Sequence, residues 1–144
     1  MRRHYIITRL HLSRSGAGRG AQGVTPACLA AVQARLATVA DDLDAILGAL
    51  RAAAGPDTDL VVMTYYNPLP GCVLADLAPV ADLVLEGGAL LPVGLNDLIR
   101  SAASAHGAAV ADAYGALGVD DVVGGSDCLH PDASGHAIIA DLLA

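Results

Sequence analysis

The chain has 144 residues, enough for one domain with a core, and 54% of them are hydrophobic. It contains no Phe, no Trp and no Lys, so Leu, Ile and Val must form that core among abundant Ala. A net charge of −7 excludes a nucleic-acid backbone or an anionic membrane as partner, and no run is long and apolar enough for a membrane span.

Residues 1–24 carry Gly16, Gly18, Gly20 and Gly23 together with the one basic cluster, Arg2, Arg3, Arg9, Arg14 and Arg19. They read as an irregular leader. Tyr5-Ile6-Ile7 starts a strand that nothing sustains, and Arg9 and His11 break the apolar run that a signal peptide needs. A long helix follows, with Thr25 as N-cap and Pro26 in the first turn. Its stripe is Leu29, Val32, Leu36, Val39, Leu43, Ile46 and Leu50, and Gly55-Pro56 ends it. Leu60-Val61-Val62-Met63-Thr64 predicts a short strand covered on both faces. The loop Tyr65–Gly71 then lies at that strand's C-terminal end, where open α/β sheets bind ligands. Residues 72–92 predict one or two short helical turns interrupted by Pro79 and broken at Gly87-Gly88.

A second helix is predicted over 93–106, with Leu95, Leu98, Ile99 and Ala102 inward and Gly107 as its stop. Ala108–Asp112 predicts a second buried strand, and 113–126 a loop. The last helix spans 133–143, capped by Asp132, with Ile138, Ile139, Leu142 and Leu143 inward. This alternation predicts an α/β fold with a parallel sheet. With two clear strands, either residues 4–12 add a third or the sheet is short.

The chemistry concentrates in Asp127-Cys128-Leu129-His130-Pro131, just before the last helix. An Asp three residues from a His can fix the imidazole tautomer while the imidazole takes a proton from a nucleophile. A loop acid beside a loop histidine is the plainer alternative. Tyr65, Tyr66 and Asn67 are candidate substrate-binding residues, or simply the turn that Pro68 and Pro70 impose. Asp112, at a strand end, reads first as a turn cap. Asp127, Cys128, His130 and His136 do not make a metal set, because matched ligand spacing is missing. His136 reads as a helix residue packing near the site. Cys128 is too close to His130 to serve as a separate nucleophile. Cys28, Cys72 and Cys128 allow one disulfide plus a free thiol, or three thiols.

The run Asp127–Pro131, followed by Gly135-His136 and a small-apolar helix, resembles the last signature block of the SGNH/GDSL hydrolase family. Val61–Pro68, Leu95–Ile99 and Ala108–Asp112 are also similar to it, so the resemblance covers about residues 25–144. It implies a three-layer flavodoxin-like fold, a parallel sheet with flanking helices. It also implies a carboxylic ester hydrolase without cofactor, acting on a small ester or acyl substrate such as an acyl lipid or an acetylated sugar. His130 would be the general base and Asp127 its orienting partner. The family's Ser, in a Gly-Asp-Ser block, is not found here. Gly94-Leu95-Asn96-Asp97 spells the family's Gly-x-Asn-Asp oxyanion block, but it lies at a helix start, so Asn96 reads as a first-turn residue. Ser15-Gly16 lacks the preceding Gly-Asp. The resemblance therefore implies an N-terminally shortened domain with little or no activity alone. The alternative is an inactive remnant that binds a partner or forms a homo-oligomer through an exposed sheet edge. Such hydrolases are often exported, although this N-terminus does not support export.

Overall fold

The computed structural model describes residues 24–144. The Tyr5-Ile6-Ile7 strand start, Ser15 and the leader up to Gly23 lie outside the described residues. The described elements form a mixed α/β arrangement. Helix α1 spans Pro26–Ala54, strand β1 Val61–Met63, helix α2 Ala78–Glu86 and helix α3 Leu95–Ala105. Strand β2 is Ala109–Ala111, β3 is Val122–Gly124, β4 is Asp127–Pro131, and helix α4 is Ala133–Leu143. β1 pairs parallel with β2, Val62 opposite Val110, and β3 pairs antiparallel with β4, Gly124 opposite Asp127.

The helix starts are written locally. The Thr25 hydroxyl accepts the Cys28 N–H at 3.1 Å, which satisfies one free donor of α1 and is worth about 1 kcal/mol. Asp132 does the same for Ser134 and Gly135 at the start of α4. At the other end of α1, Arg51 donates to the carbonyls of Gly55 and Thr58 and reaches across to those of His106 and Gly107. One guanidinium thus satisfies the C-terminal ends of both α1 and α3. These two helices pack on one another, and His106 Nε2 meets Asp44 of α1 at 2.8 Å.

Five expectations are corrected. First, the inward stripe of α1 holds only as far as Leu43. Beyond it Leu47 is buried at 3% exposure while Ile46 stands 55% exposed and Leu50 is exposed. A helix turns 3.6 residues at a time, so alternate steps of three and four drift off the contact over 29 residues. Second, neither strand is buried as expected: Val61 and Met63 of β1 are exposed, and so are Ala109 and Val110 of β2, where Ala111 alone is buried. Third, the two helical turns expected over 72–92 are present, a 3-10 turn at Ala75–Leu77 followed by α2 ending at Gly87, but Pro79 lies in the first turn of α2, where its missing N–H is harmless, rather than breaking it. Fourth, Val122–Gly124 and Asp127–Pro131 are not loop but strand. Fifth, Leu143, expected inward, is exposed. The cysteine alternatives resolve as well: Cys72 and Cys128 form a disulfide with a Cα–Cα distance of 5.2 Å, and Cys28 is a free, exposed thiol.

The core is thin in large side chains and rich in alanine. Ala103, Ala111 and Ala113 are buried beside Leu36, Leu47, Leu91, Ile99, Leu117 and Val122. Small residues let α3 lie close to the β1–β2 pair. A polar network then locks that junction. Thr64, fully buried, donates its hydroxyl to Asp112 Oδ1 at 2.8 Å and accepts the Ala113 N–H at 2.9 Å. Arg100 grips Asp112 through Nε and Nη2, and Glu86 through Nη1 and Nη2, at 2.9–3.2 Å. This pairing holds the Asp112 carboxyl below the usual carboxylate range, chiefly through the Arg100 hydrogen bonds. Asp112 is therefore more than a turn cap: it ties β2 to both β1 and α3. Among the described residues no helix is long and apolar enough to cross a membrane.

Candidate functional site

Asp127 and His130 meet. The imidazole Nδ1 lies 3.0 Å from Asp127 Oδ2 and 3.2 Å from Oδ1. Asp127 Oδ1 also accepts the backbone N–H groups of Leu129 and His130, each at 3.0 Å. The carboxylate is thus fixed by the backbone of the residues it serves, and the contacts of the pair lie within four residues of chain. An ionised carboxylate only accepts, so the neutral imidazole carries its proton on Nδ1 and presents the lone pair of Nε2. Among the described residues, the ring of His130 bonds Asp127 and no hydroxyl.

Three donors pull the Asp127 carboxyl down to about 2: the backbone N–H of His130 first, then that of Leu129, then the imidazole. A carboxyl depressed in the folded state stabilises above its unfolded value of about 3.9, and that stability disappears as the pH falls through the folded value. In urea unfolding, the wild type will have a higher midpoint than Asp127→Asn above about pH 4. The difference will shrink between about pH 4 and pH 2. A difference that stays flat across this window would mean that the turn geometry, not the charge, holds the segment.

His130 lines a cleft of about 530 Å³. One wall is Met63 of β1 and the loop Tyr65–Leu69; another is Ala81, Val84 and Leu85 of α2; the third is Cys128–Pro131 of β4. All three candidate substrate-binding residues therefore line the same cleft as His130, but their polar groups are not equally free. The Tyr66 hydroxyl donates to the Leu129 carbonyl at 2.6 Å, bridging two walls, and burial with the nearby Asp127 charge raises its pKa. Asn67 donates to the Ala78 carbonyl and to Asp82, and its own oxygen accepts the Leu69 N–H. Its amide is spent on shaping the loop. Tyr65 keeps an exposed side chain while its backbone N–H and carbonyl are both bound by Asn96.

Asn96 is fully buried in the first turn of α3, and it also donates to Glu86 at 2.6 Å. Every hydrogen of its amide is used, so it holds the cleft loop and offers nothing to an oxyanion. Cys128, bonded to Cys72, has no thiol to attack with. The Ser134 hydroxyl is bonded to Asp121 and Asp132. His136 is exposed on α4. Among the described residues, no three His, Cys, Asp or Glu side chains gather to hold a metal ion. Sequence reasoning missed the α2 wall, although the i, i+3, i+4 spacing of Ala81, Val84 and Leu85 is the signal of one helix face. Two further grooves along α1, about 350 and 380 Å³, are lined almost wholly by aliphatic side chains. Neither holds a paired acid and base.

Comparison of the chain with family models, with curated proteins and with solved structures finds no match.

Proposed function

We propose that this chain carries the acid–base half of an ester hydrolase site of the SGNH/GDSL type. The observation that supports it most is His130, held by Asp127, in the wall of an apolar cleft. His130 Nε2 would take the proton from a hydroxyl as it attacks the ester carbonyl and return it to the leaving alkoxide. Asp127 would hold the tautomer and stabilise the imidazolium. The apolar walls would receive the acyl part of a small ester. The finer fold assignment, a three-layer flavodoxin-like arrangement, belongs to the same proposal. Its support is the parallel β1–β2 pair, the helices around it, and the strand–His–helix order at the C-terminal end.

The described residues set no hydroxyl against His130, so the expected outcome is binding with little turnover. Octanamide, a non-hydrolysable acyl probe, will shift the amide resonances of Met63, Tyr65 and Leu129 in a nuclear magnetic resonance titration. Hydrolysis of 4-nitrophenyl butanoate will be slight, unaffected by Ser15→Ala and abolished by His130→Ala. A titration that leaves the cleft unmoved at millimolar probe rules the proposal out. Turnover that is lost in Ser15→Ala would place the nucleophile at that residue.

One observation favours a second reading, a non-catalytic module that associates with copies of itself. β1 and β2 form a two-stranded sheet among the described residues, and Val61, Met63 and Val110 are exposed on it. Open strand edges with apolar side chains pair readily with other strands. A chain that ignores octanamide yet sediments as an oligomer supports this second reading.

A further inference from the structure

We infer that the Cys72–Cys128 disulfide is a redox-sensitive clamp on the cleft, which couples thiol chemistry to acyl binding at the site proposed above and rests on that proposal. Cys128 lies between the two members of the acid–base pair and itself lines the cleft. Its partner Cys72 is buried at the end of the short 3-10 turn Leu69–Gly71, on the segment that forms the facing wall. The bond therefore joins the hairpin that carries the chemistry to the wall that contacts the ligand.

Apart from the disulfide, three hydrogen bonds and the packing of the hairpin on the Leu69–Gly71 turn tie these two parts. Val73 donates to the Gly125 carbonyl at 2.8 Å, Gly125 to the Gly71 carbonyl at 3.0 Å, and Tyr66 to Leu129. The network of Thr64, Asp112, Arg100, Glu86 and Asn96 holds α2, α3, β1 and β2 together without using the hairpin. Within the hairpin, the Asp127–His130 contacts are internal to four residues. Reduction consequently leaves both the helical framework and the acid–base pair standing and frees one to move against the other. The cleft, which exists only between them, loses its shape.

The chemistry balances with a dithiol as reductant. One thiolate enters by the open cleft and attacks Cys128 Sγ, the S–S bond breaks, and the electron pair leaves on Cys72 Sγ, which takes up a proton. The second thiol of the reductant then displaces Cys128 as a thiol, and the reductant departs as its own disulfide. Linkage is reciprocal, so a ligand favoured by the oxidised cleft must also favour the disulfide. Occupancy further screens Cys128 from attack.

The test uses the whole chain with Cys28→Ser, which removes the one free thiol among the described residues. Octanamide is titrated before and after reduction with dithiothreitol, with far-ultraviolet circular dichroism recorded in each state. The rate of thiol appearance is measured with and without octanamide. The expected result is at least a tenfold loss of affinity on reduction, unchanged helical signal, and slower reduction in the presence of octanamide. Cys72→Ser/Cys128→Ser will behave as the reduced chain. Equal affinities in the two states overturn the inference, and so does collapse of the helical signal, which would make the disulfide a general staple. Failure of the oxidised chain to bind octanamide takes down the site proposal and the clamp with it, a different result from binding that is indifferent to reduction.

Discussion

Replacing Asn96 with leucine will destabilise the protein by about 4 kcal/mol, the largest effect expected of a single polar side chain here. The amide is fully buried and makes three hydrogen bonds: it accepts the Tyr65 N–H at 2.8 Å and donates to the Tyr65 carbonyl at 2.8 Å and to Glu86 at 2.6 Å. Leucine is of similar size and removes all three. Each group left without a partner costs about 1–3 kcal/mol, and leucine's better burial offsets only part of that sum. Small domains have about 5–15 kcal/mol in total, so the variant will sit near the edge of folding. Urea unfolding followed by circular dichroism measures it. Asn96→Asp keeps the shape and sharpens the test, because it loses both donors and sets a second carboxylate against Glu86. A midpoint within about 0.5 kcal/mol of the wild type for either variant would show that the amide only fills space.

The same residue shows where the sequence stops being informative. The letters Gly94-Leu95-Asn96-Asp97 were enough to place Asn96 in a helical first turn, because capping is local: Asp97 accepts the Gly94 N–H three residues back. They contain nothing about Tyr65, 31 positions away, whose backbone the amide completes. The caps Thr25, Gly55 and Asp132 were legible for the same local reason. The β3–β4 hairpin was not. Its residues include Asp, Gly and Pro, which disfavour strands, and its register is irregular between Val122 and Gly124. For the candidate site the division falls in the same place. Asp127 and His130 were legible because three residues separate them. That Tyr66 would close the cleft against Leu129, 63 positions on, was not.

Gly135→Ala will destabilise the protein by about 2 kcal/mol, although alanine is the better helix former. Gly135 sits in the first turn of α4 and is buried. A Cβ there would collide with the Asp121 carbonyl oxygen and lie 2.8 Å from the Cβ of Pro131. The carbonyl is backbone and is already fixed by the Asp132 N–H at 3.0 Å, so no rotamer change makes room. Alanine gains about 1 kcal/mol in helix propensity, while overpacking against a rigid neighbour costs about 3 kcal/mol, and the second term wins. The helix must shift, and Pro131, one residue before its cap, must shift with it. His130 therefore leaves its place against the cleft while its contact with Asp127, made within one turn of chain, persists. The expected signature is a lowered urea midpoint, displaced amide resonances at His130 and Leu129, and an undisturbed fall of the Asp127 contribution between about pH 4 and pH 2. A variant more stable than the wild type would mean that propensity prevails and that α4 is free to slide, in which case nothing in its packing would set the position of the histidine.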